Sequence, residues 1–382
     1  MNQTQDFTKG VIWKQLLFFF FPILIGSFFQ QLYNTVDTII VGQAVGTSAL
    51  AAVGSTGNLT NLIVNFYVGL STGASVVIAQ YYGAQNNKKI HQAVHTSYIL
   101  AIVSGILMML FGLFFSYQCL DAIGTPHDIL NDATLYMQLY FLCMIPGAIY
   151  NIGAGILRAV GDSKRPLYYL IVCSIVNVAF DFIFVVIFHQ GIAGAAIATV
   201  IAQFVCAILV TIQLMRTNEV YKLTLSKMKF HLPVLKKIIM IGAPAGIQST
   251  MYSISNIVLQ SHINAFGTQT IASWSVYVKI DALFWMMIAA IGAAITTFAG
   301  QNYGAHLHDR IKKGARTALA MAFVMTISIS TILCLTGSYI TRLFSSDPHI
   351  IEECYSLMLF LMPFYFLYCC VEIFSGTMRG CG

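Results

Sequence analysis

Four acids sit inside long apolar runs of the chain: Asp37, Asp181, Asp281 and Glu372. A charged side chain at membrane depth costs at least about 2.5–3.5 kcal/mol. Such an acid therefore either caps or pairs structurally, or faces a protein interior and marks an ion or proton pathway. The clearest setting is Leu167 to Phe188, LYYLIVCSIVNVAFDFIFVVIF, which is about one bilayer crossing long as a helix. Asn177 and Asp181 lie four apart in it, on one helix face. At the helical rise per residue, Asp181 stands roughly 22 Å up a core about 30 Å thick. Asp37, about 22 residues along the first run, and Thr199, about 12 Å down the sixth, reach the same level in the outer half. Two carboxylates buried together cannot both stay ionised cheaply. They share a proton, or they hold a hard cation such as Na⁺ with Asn177 and Thr199 as neutral oxygen ligands. Oxygen donors do not suit a thiophilic metal. The coupling ion, Na⁺ or H⁺, is the only small ion expected, with no further cofactor or metal.

Other polar residues inside the runs are candidates for a substrate cavity: Gln31 and Asn34 on the first, and Gln248, Asn256 and Asp281 in the later part of the chain. The offset that relates the two parts, given below, pairs Asp37 with Val258, so a carboxylate ion site is expected in the first part only. Glu372 falls near the cytoplasmic end of its run and reads as interfacial. Lys279 is the only basic residue placed within a run. Pro22, Pro146, Pro244 and Pro363 predict kinks, and Pro22 is a candidate hinge. His91 and His95, four apart without a third ligand, read as interfacial. No P-loop, HExxH or Gly-x-Ser-x-Gly pattern appears, so neither an ATPase nor a hydrolase is indicated and the chain is not expected to be an enzyme.

What must position these residues is a membrane protein. Hydrophobic residues make up 58% and charged residues 9% of the 382, against roughly 25% charged in soluble domains, and the mean hydropathy is +0.77. Ten candidate spans follow, near 15–42, 55–79, 92–116, 133–157, 166–188, 191–215, 234–263, 273–300, 314–339 and 350–378. They are too long for barrel strands, which leaves an all-α polytopic fold in the lipid bilayer. Of the 20 Lys and Arg, only Arg342 falls on the far side and Lys279 within a span. The N-terminus is thus expected to be cytoplasmic. The net charge of +6 is accounted for by this asymmetry and is no sign of nucleic-acid binding. The nine cysteines lie mostly in apolar runs, without CxxC, as small core residues. The polar first residues lead into an uncleaved first helix rather than a signal peptide.

The chain repeats itself. AVGTSALAA (44–52) matches AFGTQTIAS (265–273), QYYGAQ (80–85) matches QNYGAH (301–306), and GILRAVG (155–161) matches GTMRGCG (376–382), all at an offset of 221. Three matches at one offset indicate an internal duplication of six-helix units in parallel orientation. This predicts two pseudo-symmetric bundles: residues 1–216 with six helices, a basic cytoplasmic linker at 217–233, and 234–382 with four of an expected six helices. The second copy stops at Gly382 where the first continues with DSKRP and two more helices, so the chain reads as lacking its eleventh and twelfth.

The run PILIGSFFQQLYNTVDTIIVGQAVGTSALAAVG (22–54), with AQYYGAQ, GILRAVGDSKRP and NVAFDFIF, resembles the multidrug and toxic compound extrusion (MATE) family, nearest its prokaryotic DinF-like branch. The resemblance covers essentially the whole chain. It implies two six-helix bundles across a central cavity, and export of small amphipathic organic cations from the cell, through the plasma membrane, by Na⁺- or H⁺-coupled antiport with a rocker-switch motion. In that branch an Asp on the first helix, an Asn and Asp four apart on the fifth and a Thr on the sixth form an ion site, which falls here on Asp37, Asn177, Asp181 and Thr199. The rival within the superfamily is a flippase of lipid-linked oligosaccharides. Its anionic pyrophosphate calls for Arg or Lys in the cavity, and Lys279 alone within a span weighs against it. A channel would need a continuous polar pore lining, which the sequence lacks. A monomer is expected.

Overall fold

The computed structural model describes residues 4–345 and 347–382, with the side chains of 47–51, 55, 58, 59, 61 and 62 set aside. Twelve α-helices and no strand occur among the described residues: α1 (Ile12–Ala44), α2 (Thr47–Gly83), α3 (Asn87–Ala122), α4 (His127–Phe141), α5 (Met144–Ala159), α6 (Lys164–Asp181), α7 (Gly191–Arg216), α8 (Leu232–Asn264), α9 (Thr268–Gly304), α10 (His308–Thr341), α11 (Pro348–Leu361) and α12 (Tyr365–Cys381). A π-helical turn, Phe182–Ile187, extends α6, and short 3₁₀ turns lie at Leu225–Lys227 and Met362–Phe364.

Among the described residues, eight stretches are long and apolar enough to cross a membrane, and a ninth forms if α4 and α5, bent by 45°, count as one. The sequence predicts ten. The difference is α8, whose 33 residues reach far enough but whose C-terminal half carries Gln248, Ser249, Ser253, Ser255, Asn256 and Gln260. The prolines act unevenly. α1 and α8 run through Pro22 and Pro244 without interruption. The fourth span breaks instead at Leu142–Cys143, which leaves Pro146 in the first turn of α5, where its missing N–H has no partner to lose. Pro363 sits in the 3₁₀ turn that interrupts the last span.

The duplication is written in the backbone. Left-handed φ recurs at Gly46 and Gly267 (113° and 98°), at Gln85 and His306 (53° and 58°), and at Gly161 and Gly382 (86° and 111°). Each pair is 221 apart, so matched sequences make matched turns. The expected basic linker at 217–233 is partly ordered onto the first seven helices: Tyr221 and Leu223 are buried, Leu223 N donates to Leu214 O at 2.8 Å, and His95 Nε2 meets Thr224 N and O at 3.2 Å. His91 and His95 stack on one another, and no group of three metal-ligating side chains occurs among the described residues.

α2 and α9 form the centre. α2 lies along α8 backbone to backbone: a Cβ on Gly69 would run into Gly246, and one on Gly73 into Ile238 and Gly242. Small residues permit this approach, and in lipid such packing, rather than apolar burial, holds helices together. α1 straddles two cores. Its N-terminal end, Leu16, Phe19 and Phe20, is buried with Phe284, Ile291 and Phe298 of α9 and Ile373 of α12. Further along it packs on α6, where Gly26 leaves room for Leu167 and Leu170. Pro22 stands between these two attachments.

Candidate functional site

The acids pick out one cluster. α6 packs against α1 on one side and α7 on the other. This brings Asn177 and Asp181 of α6, both buried, to Thr199 of α7: Asn177 Nδ2 lies 3.4 Å from Thr199 Oγ1, and that hydroxyl donates to Ala195 O at 3.1 Å. Asp37 comes from α1, and its carboxylate is an electrostatic neighbour of Asp181. Asp181 is the last residue of α6, and the π-helical turn begins immediately after it. Such wide turns concentrate at functional places.

The hydrogen-bond accounting in this cluster does not close. Asp37 Oδ1, Asn177 Oδ1 and both carboxylate oxygens of Asp181 are buried without a donor among the described residues. A buried acceptor left unmade costs about 1–3 kcal/mol, more when charged. Four oxygens without donors on three neighbouring side chains form a set that a proton or a hard monovalent cation satisfies, and Thr199 can add a lone pair.

Asp281 differs. Its Oδ1 accepts from Tyr365 Oη at 2.5 Å and its Oδ2 from Trp285 Nε1 at 2.7 Å, and Tyr365 in turn bonds Tyr277. Both oxygens are satisfied, so this acid is held in a side-chain network. Of the other candidates, Pro22 and Asn34 line a cavity of about 230 Å³ between α1, α5 and α6, and Gln248 lines one of about 340 Å³ between the first seven helices and the last five. Gln31 and Asn256 are exposed on α1 and α8.

Two corrections follow. Glu372, expected at an interface, lines the larger cavity, paired to Arg379 at 2.7 Å. The cavities also hold the basic residues that the sequence places at the membrane edge: Arg379 lines the larger one and Arg158 both. Lys279, the basic residue assigned to a span, is exposed. The signal was available, because Arg158 and Arg379 are 221 apart, as are Asn151 and Glu372.

On the side of the N-terminus the cavity is closed by a matched pair of bonds. Gln80 Nε2 of α2 donates to Gly380 O at 3.0 Å, and Gln301 Nε2 of α9 donates to Ala159 O at 2.7 Å. Donors and acceptors are each 221 apart, so each copy reaches into the other in the same way. The helices touch here: a Cβ on Gly83 would strike Gln301 O, and one on Gly304 would strike Gln80 O. The N-terminal segment lies across the seam. Phe7 is fully buried between Phe19 and Phe298, its N–H donates to Gln301 Oε1 at 3.0 Å, and its carbonyl accepts from Asn302 Nδ2 and Arg310 Nε. Gln5 N–H donates to Gly161 O at 3.2 Å.

An all-helical chain with many membrane-length spans, repeated turns and polar cavities between its helices defines a polytopic α-helical membrane protein. The chain belongs to the MATE family: the MatE family model matches residues 22–183 and 244–382. Among its relatives, the probable multidrug resistance protein YoeA of Bacillus subtilis is 27% identical over 99% of this chain and 83% of its own length. The probable multidrug resistance protein NorM of Thermotoga maritima is 23% identical over 97% of this chain and 80% of its own. A solved structure described as the outward-facing conformation of a multidrug resistance MATE family transporter of the MOP superfamily superposes with a TM-score of 0.93 at 25% identity, covering 100% of this chain and 85% of that one.

Proposed function

We propose that this chain is a secondary antiporter that exports amphipathic organic cations across the plasma membrane in exchange for Na⁺ or H⁺. Asp37, Asn177, Asp181 and Thr199 form the ion site, with the N-terminus cytoplasmic and a monomer as the working unit. The carrying observation is the set of buried oxygens without donors on Asp37, Asn177 and Asp181. The names of the relatives support drug export in particular. Two bundles are the units that move: residues 1–216 with six spans and 234–382 with four, joined by 217–233.

The chemistry follows from where α1 is held. An ion entering from outside reaches the acids, neutralises them and lets α1 and α6 close together there. The inner end of α1 is fixed in the other core by Leu16, Phe19 and Phe20, so the movement is taken up at Pro22, the candidate hinge. Ion and drug must stabilise different states, because a ligand shifts an equilibrium only by its differential affinity. Ion binding favours the drug-releasing state.

The test is efflux of a fluorescent cationic dye from vesicles holding the purified protein, with Na⁺ and pH gradients imposed separately. Gradient-driven efflux that Asp37→Asn and Asp181→Asn abolish supports the reading. Both variants pumping like the parent overturns it. A second reading, a flippase for lipid-linked oligosaccharides, gains from Arg158 in the cavity. A fluorescent pyrophosphate-linked lipid crossing the same vesicles without any ion gradient would favour it.

A further inference from the structure

We infer that Lys89 and Lys237, drawn together on the ring of Tyr81, bind the phosphate headgroup of an anionic phospholipid, which ties α3 to α8 at the helix ends on the side of the N-terminus. The inference stands apart from the export reading, since none of these residues lines either cavity.

The duplication supplies the comparison. Tyr81 and Lys89 match Asn302 and Arg310, 221 residues on. Arg310 is fully engaged: its Nε donates to Phe7 O at 2.9 Å, and its Nη2 to Gly10 O at 2.9 Å and Gln15 Oε1 at 3.0 Å. These bonds fasten the chain before α1 onto α10. The chain before α8 does not close the same clamp. Lys236 stands where the first copy has Gln15, and it repels Lys89 instead of accepting from it; Lys237 stands in place of Leu16. Lys89 Nζ lies 5.5 Å and Lys237 Nζ 5.6 Å from the centroid of the Tyr81 ring. Each contact is favourable alone, but two ammoniums drawn to one ring repel one another. Neither ammonium has an ion pair or a hydrogen bond, and the Tyr81 hydroxyl has no hydrogen-bond partner, among the described residues.

No acid relieves this corner. None occurs in 76–97 or in 220–237, and the acids of the matched corner, Asp6 and Asp309, fall on Lys227 and Lys88. The linker is held against α3 here: His231 N–H donates to Thr96 Oγ1 at 3.2 Å, and Lys227 is an electrostatic neighbour of His91. Basic residues fringe the other corner too, Lys312, Lys313 and Arg316 among them, as positive charge on one side of a membrane requires. Number therefore decides nothing. What differs is that oxygens of the chain satisfy Arg310 and none satisfies Lys89.

The missing partner is an anion with several oxygens. Lysine holds phosphate as a point charge, and the phenol can donate a further bond. Lysines clustered beside membrane helices suit anionic headgroups. Lys89 is in the first turn of α3 and Lys237 near the start of α8, where both helices enter the apolar layer, so a lipid phosphate already stands at their level. A headgroup bound by both does at this corner what Arg310 does at the other.

The experiment is native mass spectrometry of the purified protein from a neutral detergent, with dioleoyl-phosphatidylglycerol or dioleoyl-phosphatidylcholine added. The parent is expected to bind the first phosphatidylglycerol at least about tenfold more tightly than the first phosphatidylcholine. Lys89→Gln with Lys237→Gln should remove that preference. Lys312→Gln with Lys313→Gln, which takes the same charge from the other corner, should leave it unchanged. Both target lysines are exposed, so the fold should survive, and the comparison of the two lipids on the parent needs no variant. Equal affinity of the parent for both lipids, or equal loss in the two glutamine pairs, overturns the proposal. Glycerol 1-phosphate displacing phosphatidylglycerol at equal concentration would assign the lysines to a soluble anion and overturn the lipid assignment. Melting gives an independent readout: phosphatidylglycerol should raise the melting temperature of the parent but not of Lys89→Gln with Lys237→Gln, and an equal rise in both overturns the tie between α3 and α8.

Discussion

Removing Gln301 tests whether the paired glutamine bonds hold the N-terminal side shut. Its side chain makes two buried bonds, to Ala159 O at 2.7 Å and from Phe7 N at 3.0 Å, and it is fully buried. Gln301→Ala leaves both backbone groups without these partners, at about 1–3 kcal/mol each. Opening of this side hydrates both groups, so the closed state alone bears the penalty. At the low end the closed state loses about 2–3 kcal/mol, which at 1.4 kcal/mol per tenfold shifts the closed-to-open ratio roughly 30- to 150-fold. Gln80 makes one such bond, to Gly380 O, so Gln80→Ala should cost about half as much. The assay is a spin-label distance measurement between Gln85 and His306, exposed residues just past the ends of α2 and α9. Labels carried on non-natural amino acids avoid the nine native cysteines. The parent should give one short separation, Gln301→Ala a large added population at longer distance, and Gln80→Ala a smaller one. Unchanged distributions in both variants would refute the reasoning.

Three further outcomes are expected. Asp37→Asn and Asp181→Asn should stop gradient-driven dye efflux while leaving expression nearly unchanged; Asp281→Asn, which disturbs a satisfied network, should instead lower thermal stability by about 1–3 kcal/mol and spare ion coupling. Melting of the purified protein and efflux rates separate the two. Gly69→Leu should force α2 from α8, since even a Cβ meets the Gly246 backbone, and lower the melting temperature, whereas Gly54→Ala, with open space around it, should be neutral or stabilising by up to about 1 kcal/mol; equal melting of the two would contradict the packing. An impermeant maleimide should label a cysteine at Gly124 from outside and one at Asn86 only from the cytoplasm, above the native-cysteine background; a second position expected to label from outside, Ser346, lies outside the described residues. Labelling of both from one side would overturn the orientation.

The helical class was legible because lipid permits few alternatives, and the polar set Asp37, Asn177, Asp181 and Thr199 stood out because acids in apolar runs are costly. That the three on α6 and α7 meet follows from small residues: Ala195, Ala198 and Ala202 of α7 are fully or almost fully buried. Harder to read was anything set by partners distant in sequence. Asp37 and Asp281 look equally costly along the chain, yet Tyr365 and Trp285 satisfy one and leave no such accounting for the other. Arg158 and Arg379 were placed at the membrane edge because hydropathy averages over a helix end and cannot see a cavity reaching down to it. The break at Leu142–Cys143 has no proline, and Pro146 drew attention three residues too late. α8 has the length of a span, but Ser, Gln and Asn dilute its C-terminal half.

The straddling first helix has a consequence for synthesis. α1 leaves the ribosome long before its partners: the residues that bury its N-terminal end, Phe284, Ile291, Phe298 and Ile373, come more than 260 residues after Phe20. At about 5–20 residues per second the wait is roughly 15–50 s at the least. Leu16, Phe19 and Phe20 spend it at little cost, because lipid tails are as apolar as the core that will replace them. Phe7 has no such refuge: it lies before the helix and faces water until α9 and α10 arrive. The seam that Phe7 crosses is thus completed only once α9 and α10 are made, sealed by a residue made long before them.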